Sequence, residues 1–224
     1  MADFPIVRSK NTDTLYNYFT SKNGYAKDYG LPPMTHNQAA GAIGSIMVET
    51  GSQDLMNLDV VEKDAMAGRG MMQYTGPRRI AYDKARTAAL QAGTDPNTMA
   101  WQIKYMAEEY KGKHDPAPDK SLIGYTKSLE TYGQKRFGSA GEAAVAFTGS
   151  AAERRGYLRP GVPHFDKRIN AAESVAAAYA ARGALEPLKG AGVSSQVQSS
   201  PTPPKAPSSA PHGDPMGLMI RPTF

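Results

Sequence analysis

Apolar and polar positions in the first 184 residues recur at helical rather than strand spacing, and the clearest run begins at Thr35. Ile43, Ile46, Met47 and Thr50 fall on one face, while Ala40, Gly41 and Gly44 leave another face thin enough for a second backbone to approach closely. Thr35 with Gln38 three residues later predicts a capping box, and Gly51 predicts the C-terminal stop because glycine enters the left-handed region without steric cost. Glu49 therefore belongs to the last turn.

Other helices follow from the same pattern. Thr12–Phe19 carries Leu15, Tyr16, Tyr18 and Phe19 behind caps at Thr12 or Asp13. Tyr25 and Tyr29 stand four apart and predict packing of this helix onto the next, with sugar stacking as the alternative. Pro77 starts a helix with Arg78, Arg79, Ile80, Tyr82, Ala85 and Ala89. Thr98–Tyr110 places Trp101, Tyr105 and Met106 or Ile103 inward, and Leu122–Tyr132 is helical until Gly133–Gly138 breaks it. Glu142–Thr148 is a small-residue helix, and Asn170–Gly183 an alanine-rich one. Between the first of these blocks and Pro77, glycines 68, 70 and 76 flank Gln73 and predict a short hairpin or irregular strand. The fold class is mainly α, with that one small irregular element.

From Leu185 to Phe224 the pattern stops. Eight prolines among serines, alanines and glycines predict an extended tail that cannot bury enough surface to offset its ordering entropy. Its end is apolar, and Leu218, Met219, Ile220 and Phe224 are the candidate partner-docking residues. The expected organisation is one domain over 1–184 and a docking tail over 185–224.

Composition narrows the chemistry. The net charge of +5 suits an anionic partner such as peptidoglycan, a membrane surface or nucleic acid. A nucleic-acid reading draws on charge alone, without a dense basic run interleaved with aromatics. With no cysteine there is no disulfide, thiol nucleophile or thiolate metal site, and His36, His114, His164 and His212 show no ligand spacing, so neither a metal nor another cofactor is expected. No stretch has the apolar length of a membrane span, and the N-terminus has no apolar signal core. Gly68-Arg69-Gly70 continues into neither nucleotide fingerprint.

Glu49 is the candidate catalyst. Carbonyls at a helix C-terminus disfavour a carboxylate, as does burial beside Val48, and both favour the protonated form that a general acid needs. A solvated glutamate at a helix end is the plainer reading of position alone. Asp54, Asp59, Glu62 and Asp64 follow in a polar loop, and Asp59 and Asp64 are the candidates for a second carboxylate beside a solvated-loop reading.

The run Ala40–Thr50, followed by Gly68-Arg69-Gly70-Met71-Met72-Gln73-Tyr74-Thr75-Gly76-Pro77-Arg78-Arg79, resembles the phage tail lysozyme family, part of a lysozyme-like group with goose-type lysozymes and lytic transglycosylases. Trp101–Glu109 and a looser block from Gly141 to Arg168 are also similar. The resemblance implies a lysozyme-like helical domain, Glu49 as catalytic acid, and substrate contacts from Gln73, Tyr74, Thr75 and Arg78. Tyrosine stands at 74 where the family more often has tryptophan, and threonine at 50 where serine is commoner. Arg154, Arg159 and Arg168 either pair with acids that buttress the cleft, bind peptide carboxylates, or are solvated.

The implied activity is cleavage of the β-1,4 bond between N-acetylmuramic acid and N-acetylglucosamine, as muramidase or lytic transglycosylase. The implied setting is a virion, tail or internal, opening the bacterial wall locally during genome delivery and docked to other virion proteins through the tail. A virion structural or anchoring protein that keeps the fold with little activity is the competing expectation.

Overall fold

The computed structural model describes residues 6, 8–61, 68–114, 123–150, 152 and 155–180. The predicted docking residues Leu218, Met219, Ile220 and Phe224 lie outside them, as do Asp64 and Arg154. Eight helices follow one another: α1 Lys10–Thr20, α2 Tyr25–Tyr29, α3 His36–Thr50, α4 Gly76–Gln91, α5 Met99–Tyr110, α6 Ile123–Gln134, α7 Ala140–Thr148 and α8 Phe165–Ala180. Among the described residues β structure is confined to isolated bridges. No helix among them is long and apolar enough to cross a membrane.

The α3 helix is the centre, and its sequence explains why. The Thr35 side chain accepts from the Gln38 amide, and Gln38 Oε1 accepts from the Thr35 amide at 2.7 Å, closing the predicted capping box. Gln38 Nε2 then donates to the Tyr132 and Lys135 carbonyls, tying the end of α6 to the start of α3. At the other end Gly51 takes φ 61 and closes the helix.

The thin face of α3 meets α7 and α8. A Cβ on Gly41 would lie 2.7 Å from the Ala144 nitrogen, and one on Gly44 would lie 2.4 Å from the Ala172 nitrogen. Backbones that close leave room only for small side chains, which is why alanines dominate α7 and α8. A buried polar seam crosses this packing, where Thr148 Oγ1 donates to Ser45 Oγ at 3.0 Å and Ser45 Oγ to the Gly41 carbonyl at 2.9 Å.

Aromatic residues fill the space that small residues do not. Tyr25 and Tyr29 stack at 4.6 Å and Tyr29 meets Tyr110 at 4.4 Å, so the pair packs α2 onto its neighbours and is buried. Tyr82, Trp101 and Tyr105 form a second cluster between α4 and α5. Trp101 is 8% exposed and belongs to the core, as does Met106, while Ile103 is half-buried.

Several boundaries differ from the sequence reading. Ser9, not Thr12 or Asp13, caps α1, and Thr12 supplies the reciprocal half of its capping box. Helix α6 runs through Gly133 to Gln134, because its last turn is held by the Gln38 side chain rather than ended by the glycine. Helix α8 starts at Phe165, five residues before the expected Asn170.

Candidate active site

Glu49 opens into a cleft of about 720 Å³ whose lining includes Gln73, Thr75, Arg159, His164 and Arg168. It arrives there because Gly51 stops α3 two residues later and turns the chain away. Its side chain is 11% exposed, and Oε1 accepts from Arg168 Nη2 at 2.9 Å.

Arg168 is 1% exposed and is held by three acceptors. Beside Glu49 it donates from Nη1 to the Ser45 carbonyl at 2.9 Å and from Nε to the Pro163 carbonyl at 2.5 Å. Ser45 lies one turn before Glu49 on α3, so the guanidinium spans the last turn of that helix and fixes the carboxylate against it. Burial pulls the Arg168 guanidinium below its ordinary value while Glu49 pulls it back up. An arginine remains charged under both influences.

Gln73 approaches the same cleft from the irregular element. Antiparallel bridges pair Arg69 with Val61 and with Tyr74, and the tight turn between 69 and 74 forces Gln73 to φ 47. Its side chain is buried, Nε2 donates to the Gly70 carbonyl at 2.9 Å, and Oε1 has no partner among the described residues. A Cβ at position 68 would sit 2.4 Å from that Oε1, so glycine there makes room for the amide. An acceptor buried without a donor is costly unless something supplies one.

Thr75 lines the cleft, is exposed, and makes no side-chain capping bond to α4. Tyr74 and Arg78 are placed differently from the substrate contacts that the resemblance implies. Tyr74 is 1% exposed, its ring packed on Tyr82 and Tyr105, and burial holds its phenol well above the ordinary range. Arg78 is paired bidentately with Glu109 at 2.8 Å for both bonds, and Tyr157 donates to the same carboxylate at 3.2 Å. Neither side chain has surface to offer a sugar, and neither lines the cleft.

Asp59 is engaged by Arg69 at 3.0 Å and by Arg86 at 3.1 Å, and it does not line the cleft. Among the described residues Glu49 is the one carboxylate in the lining. Gln73, Arg159 and His164, three of the four described non-glycine residues with positive φ, are in it too. Strained backbone gathers where the surrounding fold must hold a geometry for function. Of these, the His164 contribution has no signal in the sequence, since a positive φ at a histidine is invisible there.

Comparison with known families matches the phage tail lysozyme family over residues 10–179, from the first residue of α1 to the penultimate residue of α8. Such a match implies a peptidoglycan-degrading, lysozyme-like role and suggests association with a virion tail. No curated protein and no solved structure matches the chain.

Proposed function

The chain belongs to the phage tail lysozyme family, and we propose that within it Glu49 is the general acid for cleaving the β-1,4 bond between N-acetylmuramic acid and N-acetylglucosamine. The observation that carries this reading is a carboxylate at a helix end, fixed by one buried arginine, as the one described carboxylate in a cleft also lined by Gln73 and Thr75.

Glu49 protonates the glycosidic oxygen as the bond to the anomeric carbon breaks, leaving an oxocarbenium-like centre. Water then adds to give a reducing end, or the sugar's own 6-hydroxyl adds to give an anhydro end. Both routes use the same acid step. Gln73 lines the cleft beside Glu49 and contacts the sugar there, its amide held in place by the Gly70 carbonyl. Thr75 contacts the sugar at the rim. Arg168 is a positioning residue: it holds one carboxylate oxygen and fixes the rotamer of the acid.

In the virion this activity opens the wall locally for genome delivery, with the tail over 185–224 docking the enzyme to other virion proteins through Leu218, Met219, Ile220 and Phe224. The test is digestion of purified peptidoglycan by the full chain, wild type beside Glu49→Gln, with mass spectrometry of the released sugars. Reducing-end muropeptides from wild type alone mark a muramidase, and anhydro ends a lytic transglycosylase. A folded wild type that releases nothing, or a Glu49→Gln variant as active as wild type, overturns the assignment.

A further inference from the structure

The segment from Arg155 to His164 separates two concavities. Leu158, Pro160, Gly161, Val162 and His164 face the Glu49 cleft, while Arg155 and Gly156 face a larger groove of about 1170 Å³ formed with α6, α7 and the start of α8. Helix α8 is divided the same way, with Lys167 and Arg168 in the cleft and Phe165 and Ile169 in the groove. Arg159 belongs to both linings. The partition is firmly built: the Arg159 amide donates to the Thr148 carbonyl at 2.9 Å, its guanidinium donates to the Gly124 carbonyl and to Ser128 Oγ, and it lies over the Tyr125 ring at 4.2 Å.

The groove has a distinct chemistry. Its floor carries Phe137, Val145, Ala146, Phe165 and Ile169, and four cations stand in its lining, Lys127, Lys135, Arg155 and Arg159. Its one carboxylate, Glu142, already accepts from the Gly138 amide at 2.9 Å. Lys127, Lys135 and Arg155 are exposed and form no ion pair with a described residue. A neutral sugar would leave these charges without a counterpart. The volume also exceeds the roughly 300–1,000 Å³ of ordinary small-molecule sites.

We propose that this groove binds the stem peptide of the peptidoglycan strand whose sugars occupy the Glu49 cleft. It rests on the glycan reading of that cleft. A stem peptide combines free carboxylates with short aliphatic side chains, which matches cations around an apolar floor. Arg159, shared by both linings, makes the two sites continuous, so that a peptide attached to a bound sugar passes over the partition. The groove thus selects peptide-bearing strands over bare glycan.

The test is titration of the full chain with a soluble stem tetrapeptide at low salt, followed by amide chemical shifts. Shifts are expected in α6, α7 and 155–159. The double variant Lys127→Glu, Lys135→Glu should bind about tenfold more weakly or worse. Glu49→Gln should bind as wild type does, because its change lies in the other concavity. Should the double variant fail to fold, Arg155→Glu carries the same expectation of weaker binding. Absent shifts in the groove, unchanged affinity in the charge-reversed variants, or displacement of the peptide by a single-stranded oligonucleotide of equal charge would each overturn the proposal. Peptide binding by a wild type that cleaves no peptidoglycan would instead sink the Glu49 reading and leave the groove assignment standing.

Discussion

Two buried arginine–glutamate pairs sit in this molecule, and they are built to opposite ends. Arg78 and Glu109 meet fork to fork, 7% and 5% exposed, with Tyr157 completing the carboxylate and the rings of Tyr74, Tyr125 and Tyr157 around the guanidinium. Arg168 instead spends one nitrogen on Glu49 and two on backbone carbonyls, and its partner faces a cleft. The first pair lines neither concavity, and both oxygens of its carboxylate are taken up within the core. In the second the arginine is the fixed part, and its glutamate lines a cleft, where the proposed acid step would use it.

The contrast breaks most sharply at the two glutamates. Glu49→Gln should lower peptidoglycan turnover by about 10²–10⁴-fold, with a partial loss of stability, because the buried Arg168 loses its charge partner but keeps the Ser45 and Pro163 carbonyls. Glu109→Gln should cost more, about 3–5 kcal/mol of stability in urea denaturation by leaving Arg78 uncompensated, with turnover per folded molecule retained. Equal stability losses in the two variants would erase the distinction. Arg168→Lys removes the fork that spans the last turn of α3, and a misplaced acid should lose about 10²-fold in turnover; an unchanged rate would show that Glu49 needs no such support.

Smaller effects sharpen the background. Gly44→Ala drives a methyl to 2.4 Å from the Ala172 nitrogen, so α3 and α8 must separate at a cost of about 1–3 kcal/mol, measurable as a lowered denaturation midpoint. Glu108 belongs to neither pair. Burial pushes its carboxyl up, but the His114 hydrogen bond, Lys104 and Lys113 outweigh that and hold it below the ordinary glutamate value of 4.5. Its folded value being the lower one, the stability it adds is complete above about pH 4.5 and fades as the pH falls through the folded value. Glu108→Gln should flatten the acid side of the stability profile.

What the sequence disclosed was local. Thr35, Gln38 and Gly51 fix α3 through bonds within a few residues, and they were readable as a capping box and a left-handed stop. The thin face of Gly41 and Gly44 announced a close backbone, and α7 and α8 supply it. Arg168 could be singled out as a candidate partner for an acid, but Glu49 lies 119 residues away and no spacing rule connects them. Arg78 misled for the opposite reason. An arginine beside a glutamine motif reads as a solvent-facing contact, and only the arrival of Glu109 and three tyrosine rings makes its burial tolerable. The groove was hidden because it joins α6, α7, the start of α8 and the loop over 155–159, which no local spacing connects.

The left-handed backbone at Gln73, Arg159 and His164 carries a lesson for anyone who wishes to improve this protein. Each such residue stores about 1–3 kcal/mol that glycine would release. A search for heat resistance guided by backbone strain would therefore arrive at the rim of the cleft before anywhere else. It would return a hardier protein whose cleft had lost the backbone geometry that now shapes it, the strain there being a setting rather than a flaw.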